Sequence, residues 1–297
     1  MATYILTAAQ LNSRILNSFS IPAASAVPTV SDPNAQAFLN AAVITDVTQA
    51  NAVNSLVIGL KADGLWTPMQ ALYPFVGGTA TQHKYNLKDP RDVDGAFRLN
   101  FQGGWTHNAN GAIGNGGTYA DTYFDGFVSG QLGVYNRGGV AIFGAQYNYQ
   151  AVPEEDYPIY GAQIYSVINS NSGYSYFTTT GPINWAEEFQ GKVNSTGANL
   201  NLGLLSLSGN NSQTTLYKNG VVNTTTTPYQ SPSNVTNIWL GGCNAFWNGW
   251  SYAPDFKIYG DSQLAFGFIT TTVLNGTQNT NLNTRIQTFQ TALSRQV

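Results

Sequence analysis

A chain of 297 residues with a net charge of −3 carries only 9% charged side chains against 13% aromatic ones, well below the roughly 25% charge of ordinary globular domains. Its basic residues are scattered from Arg14 to Arg295 without a cluster, which argues against a nucleic-acid surface. The single cysteine, Cys243, excludes an intrachain disulfide and a cysteine-based zinc site.

Residues 1–31 read as an N-terminal arm. Leu6, Leu11, Ile15 and Leu16 have the spacing of a short amphipathic helix, and the Pro- and Ala-rich stretch after them packs poorly alone; attachment to a partner and a disordered terminus both fit. No basic residue precedes the apolar stretch, and Asn12, Arg14 and Asn17 interrupt it, so it is not expected to be a signal peptide. No run approaches the roughly 18 apolar residues of a membrane span.

Residues 32–76 read as a helical attachment element. Asp32-Pro33 has the types of a cap and first position, opening a helix through about Ala41. Asp46 with Gln49 three residues later predicts a capping box for the next helix. In that helix Val53, Leu56, Val57 and Leu60 share one face, and Gly64 closes it. Thr67-Pro68 opens a third, short helix that Pro74 stops. Such an element is too small to fold alone, so its apolar face must pack on a β domain or on another subunit. The second option makes Val53, Leu56, Val57 and Leu60 an assembly face.

Residues 77–297 read as a β-sandwich with a C-terminal helix. After a Gly77-Gly78 turn, Phe97, Leu99 and Phe101 alternate with polar residues as in a half-buried strand. From QLGVYN to QLAFGFI, strand signals separated by Gly, Asn, Pro and Ser predict two stacked antiparallel sheets, and Asn219-Gly220 supplies the positive φ that a type I′ hairpin needs. Leu282, Ile286, Phe289 and Leu293 give the last helix, Leu282 to Arg295, one apolar face. No internal repeat is present.

The stretch from Leu56 to His107, together with AFGFI and the ending TFQTALSRQV, resembles bacteriophage virion proteins that carry a concanavalin A-like (laminin G-like) jelly roll. The resemblance spans about Asp32 to Val297. It implies a mainly β, two-sheet antiparallel jelly roll, placed in a virion as a spike, fibre or capsid-decoration subunit, with copies of itself and other virion proteins as partners. A shell-forming capsid subunit remains a further alternative. From another class, a free carbohydrate-binding module or a glycoside hydrolase is the rival.

A glycosidase needs two carboxylates facing one cleft, about 5.5 Å apart for retention. Glu187 and Glu188 are sequence neighbours and would point to opposite faces of a strand, and Glu154, Glu155 and Asp156 sit in a loop-like VPEEDYP. No enzymatic activity is expected. Asp89, Asp92 and Asp94, or Asp121 with Asp125, are of the type that gathers around a structural calcium ion, although Lys88 and Arg91 offer the first group ion pairs instead. Otherwise no cofactor is expected. His83 and His107 lie near no nucleophile motif and read as hydrogen-bonding residues at strand edges. The best ligand-binding candidate is the loop carrying Asn244, Phe246, Trp247, Asn248, Trp250 and Tyr252, whose rings could stack on a host surface glycan while its amides bond hydroxyls; filling the core or an intersubunit contact is the commoner fate of such rings in a β protein. The five Asn-x-Ser/Thr sequons, at Asn194, Asn210, Asn223, Asn234 and Asn275, are expected by chance in a chain so rich in Asn and Thr.

Overall fold

The computed structural model describes residues 26–124, 130–139, 142–147, 164–168, 174–176, 192–194, 202–210, 213–226, 235–243, 258–259 and 262–297. In chain order the helices are α1 (Pro33–Ala42), α2 (Val47–Ala62), α3 (Ala80–His83) and α4 (Gly276–Ala292). The strands are β1 (Met69–Tyr73), β2 (Asn100–Gln102), β3 (Thr106–Asn108), β4 (Gly111–Ile113), β5 (Tyr119–Asp121), β6 (Gly130–Asn136), β7 (Ile142–Tyr147), β8 (Ile164–Ile168), β9 (Tyr174–Tyr176), β10 (Lys192–Asn194), β11 (Gly203–Asn210), β12 (Gln213–Lys218), β13 (Val221–Thr226), β14 (Val235–Leu240), β15 (Gly242–Cys243), β16 (Ile258–Tyr259) and β17 (Gln263–Thr270).

Two antiparallel sheets carry the architecture. The larger runs β13-β12-β11-β6-β17-β4-β3, with β1 also paired to β17; the other runs β10-β9-β8-β7-β14-β5-β2; β15 and β16 form a separate ribbon. Between the sheets lies one apolar layer: Leu132, Val134, Leu205, Leu207, Leu216, Leu264 and Ile269 of the larger sheet meet Ala120, Phe143, Ile238 and Leu240 of the other. On the far side of the larger sheet, Tyr135, Leu204, Phe266 and Phe268 pack with α1, α2 and α4. That sheet is therefore covered on both faces, and β6 is buried along its whole length. Double coverage explains why β17, QLAFGFIT, reads as a nearly continuous apolar run.

Caps in the sequence become caps in the structure. The Asp32 carboxylate accepts from the N–H groups of Asn34 and Ala35 at the start of α1, and Asp46 accepts from the Gln49 N–H at the start of α2. The capping box expected there is only half made. The Gln49 amide oxygen accepts instead from the Gly77 N–H at 2.6 Å, tying α2 to the Gly77-Gly78 turn, where φ is +98° and +121°. The full capping box lies at the other end of the chain, where Asn275 and Gln278 exchange hydrogen bonds. It starts α4 at Gly276, six residues before the sequence-based start at Leu282. Leu282, Ile286 and Phe289 face the core as expected. In the Asn219-Gly220 hairpin φ is +50° and +76°, with Lys218 paired to Val221.

Three expectations need correction. Residues 68–73 form no helix: they contain β1, paired antiparallel with β17 through Leu72↔Phe268 and Tyr73↔Gly267. Its outer edge is served by buried Asn86, which accepts from the Leu72 N–H and donates to the Gln70 carbonyl, while the Leu87 N–H donates to the Leu72 carbonyl. Satisfied on both edges, five residues do better as a strand than as one helical turn with most of its polar groups unpaired. The second correction concerns Phe97, which is no strand residue: it closes a 3-10 turn, Asp94–Ala96, with φ +58°, and the strand covers only Asn100–Gln102. The third concerns the apolar face of α2. Val53, Leu56, Val57 and Leu60 are at most 3% exposed, covered within this chain by its own core, so they are not available as an assembly face.

Of the N-terminal arm, residues 1–25 lie outside the described residues; Val27 and Val30 pack against the helical side of the core. No helix among the described residues is long and apolar enough to cross a membrane.

Candidate functional site

The loop from Asn244 to Tyr252, with Asn244, Phe246, Trp247, Asn248, Trp250 and Tyr252, lies outside the described residues, as do Glu154, Glu155, Asp156, Glu187, Glu188 and Asp125. What is described is the ground from which that loop departs. Gly241 has φ +77°, and a Cβ there would lie 2.4 Å from the Trp105 ring. Only glycine lets the indole cover this end of β14. Trp105 donates its Nε1–H to the Tyr119 carbonyl at 3.2 Å and meets Phe101 edge to face. Tyr119 in turn stacks on Trp239, with ring centroids 3.7 Å apart. An aromatic group, Phe101, Trp105, Tyr119 and Trp239, therefore packs around the end of β14.

Each carboxylate of the first acidic group, Asp89, Asp92 and Asp94, is engaged by a cation. Asp89 holds Arg91, Asp92 holds Lys84 and Arg98, and Asp94 holds Arg98. These cations keep the Asp89 and Asp92 carboxyls below their ordinary pKa. Lys88, expected among these pairs, instead donates to the Trp66 carbonyl and lies 4.3 Å from the Trp66 ring centre. Asp121 accepts from the Tyr123 N–H and the Asn237 amide. With Asp32 on Lys61, Asp63 on Arg285 and Asp46 capping α2, each of the seven carboxylates among the described residues is engaged within the fold. No group of three or more His, Cys, Asp or Glu among the described residues could hold a metal ion.

The two histidines, 24 positions apart in sequence, come together. Thr79 caps the single turn of α3, which delivers His83 to a buried position with 1% exposure; His107 comes from the middle of β3. Their Nδ1 atoms are 2.9 Å apart, so one ring donates and the other accepts. His83 Nε2 is buried without a hydrogen-bond partner. An unpaired lone pair is cheaper to bury than an unpaired N–H, which assigns His83 as the Nδ1–H donor and His107 as the acceptor. Phe75 meets the His83 ring edge to face, and Phe101 meets His107. Burial, then the neighbouring His107, then Arg295 push the His83 pKa down to about 3, and burial lowers that of His107.

Arg295 is the charged group of this region and nothing in its local sequence announced it. Only 1% exposed, it donates to the carbonyls of Phe75, Pro74, Ala265 and Ala109 and to the Gln290 amide oxygen. Burial lowers its pKa to about 9, which leaves it charged at neutral pH. The His pair beside it has no Ser, Cys or carboxylate as a hydrogen-bond partner among the described residues, so it forms no nucleophile-base or base-orienter relay.

No family model matches the sequence, and no curated protein matches it. Among solved structures, a botulinum neurotoxin type C that depends on two ganglioside molecules to enter cells superposes with a TM-score of 0.42 at 12% identity, over 75% of this chain and 53% of that one. Domain 4 of an extracellular arabinanase from Geobacillus stearothermophilus, in complex with arabinotriose, gives 0.36 at 16% identity over 72% of this chain and 97% of that one. A Trypanosoma rangeli sialidase in complex with 2,3-difluorosialic acid gives 0.38 at 11% identity over 79% of this chain and 38% of that one. The chain thus spans about half the length of the neurotoxin chain it matches.

Proposed function

We propose that this protein is a non-enzymatic structural subunit of a bacteriophage virion, a spike, fibre or capsid-decoration protein that assembles with copies of itself and with other virion proteins. What supports the non-enzymatic part is the state of the acids among the described residues, seven of the fifteen in the chain: each is held by a cation, an amide or a backbone N–H. Carboxylates held in this way build a fold, whereas a glycosidase needs two turned to one open cleft. The resemblance from Asp32 to Val297 and the low charge of the whole chain support the virion part.

Within this reading a host surface glycan is the ligand, met by the loop from Asn244 to Tyr252. Stacking of an exposed ring is worth roughly 0.5 to 1.5 kcal/mol beyond its area, so useful binding rests on many copies and depends little on salt. Mass spectrometry and labelled electron microscopy of purified particles test the placement; absence of the chain from particles refutes it. Binding to host envelope polysaccharide at low and high ionic strength, with Trp247→Ala and Trp250→Ala alongside, tests the ligand; unchanged binding in both variants removes the loop as the site. Release of reducing ends from that polysaccharide by the pure protein refutes the non-enzymatic reading.

A further inference from the structure

The His83–His107 contact joins two short segments that also have bonds of their own, α3 through the Gln82 amide on the Val43 carbonyl and the β3–β4 hairpin through the pairing of β4 with β17. α3 is one turn, and β3 is a three-residue strand at the end of its sheet, paired in the described structure with β4. Arg295 bridges the same two segments, bonding Phe75 before α3 and Ala109 after β3. We propose that His83, His107 and Arg295 form an acid-sensitive latch, through which protonation of the imidazole pair releases the β3–β4 hairpin and α3 while the sandwich stays folded.

The geometry leaves no place for an added proton. With one Nδ1–H already between the rings, a second puts two N–H groups face to face at 2.9 Å. Added at His83 Nε2 instead, the proton leaves the Nδ1–H bond in place but becomes a buried N–H without a partner. On His83 the new charge also stands against the Arg295 guanidinium. Among the described charged groups Arg295 is the one that acts on His83: Lys84, next to His83 in sequence, turns its ammonium to Asp92, and Tyr73, from β1, donates its hydroxyl to the Phe97 carbonyl. No carboxylate among the described residues is placed to neutralise the new charge.

The direction of the pH dependence follows. In the closed state both rings bind a proton less readily than usual, His83 only at about 3, whereas an opened hairpin returns them to about 6.5. Proton binding therefore favours the open state once the pH falls below about 6.5, and stability of the latch is fully present above that value. For one ring at about pH 4.5, two units below its open-state value, the opening constant rises about 100-fold.

Amide hydrogen exchange on the full chain, corrected for intrinsic rates, reads this directly. The probes are the His83, Lys84 and Gly114 N–H groups, bonded to Thr79, Ala80 and Ser262, against the reference amides of β6 and β11. Between about pH 7.5 and about pH 4.5 the probes are expected to lose protection by about 100-fold while the reference amides keep theirs. The double variant His83→Gln with His107→Gln is expected to lose that difference. Equal protection of the probes at both pH values overturns the proposal, as does an equal loss in the reference amides or an unchanged acid response in the double variant. Should the double variant not fold, NMR titration of the two rings in the unaltered protein decides: rings that stay neutral until the probes open support the latch, and a ring that titrates near 6.5 with the probes still protected refutes it.

Discussion

Replacing Asn86 by alanine is expected to destabilise the protein by about 4 kcal/mol. The side chain is fully buried and makes four hydrogen bonds: its oxygen accepts from Leu72 at 2.9 Å and Lys88 at 3.0 Å, and its nitrogen donates to Ala96 at 3.0 Å and Gln70 at 3.3 Å. The Leu72 and Ala96 bonds are buried, whereas those to Lys88 and Gln70 are half-exposed, so water can replace the second pair. Two orphaned backbone groups at about 1–3 kcal/mol each give about 4 kcal/mol, a large share of the roughly 5–15 kcal/mol that holds an ordinary domain. Asn86→Asp separates the two halves of the bond set, because it keeps both acceptor bonds and turns a carboxylate against the Gln70 and Ala96 carbonyls. Its pKa should be raised, so this variant regains stability as the pH falls, opposite to a salt-bridged acid. Urea unfolding followed by tryptophan fluorescence measures both, with the denaturant slope unchanged. A loss below about 1.5 kcal/mol for Asn86→Ala would refute the reasoning that this amide stands in for a strand beside β1.

Gly133→Ala places a Cβ in the middle of β6, 2.5 Å from the Leu205 carbonyl oxygen and 2.6 Å from both Phe268 and Ser206; since backbone cannot yield as a side-chain tip does, a loss of about 3 kcal/mol is expected in the same assay, and a loss under about 1 kcal/mol would show that the two neighbouring strands part easily. Asp63→Asn removes the two-pronged ion pair to Arg285, 2.7 and 2.9 Å long, which ties α2 to α4. Because Arg285 is 38% exposed, about 1 kcal/mol is expected at neutral pH and low salt. Arg285 holds the Asp63 carboxyl below its ordinary pKa, so the contribution is present above about pH 4 and vanishes as the pH falls through the lowered value. The gap between the two proteins should close in acid, and a gap that is constant with pH would rule the ion pair out.

Features that depend on neighbours along the chain were readable from the amino-acid order. Asp32, Asp46 and Asn219-Gly220 act through backbone groups within three residues of themselves, and the spacing of Leu282, Ile286 and Phe289 is a property of any helix, so two sheets, the helices α1 and α2 and the C-terminal helix were all legible. Tertiary structure decided the rest wherever two partners compete for one group. Gln49 had the position of a capping-box residue, but Gly77, 28 residues away, took its oxygen. Residues 68–73 had a proline start and a proline stop, yet β17 and Asn86 offered both edges of a strand, and a single helical turn cannot match that. Val53, Leu56, Val57 and Leu60 were readable as a buried face, but periodicity carries no information on what covers it, and here the chain's own core does. The pairing of His83 with His107 and the burial of Arg295 among four carbonyls left no trace in local pattern. Their partners are brought together by sheet topology, and the charge and proton chemistry of that corner exists only once the fold has closed around it.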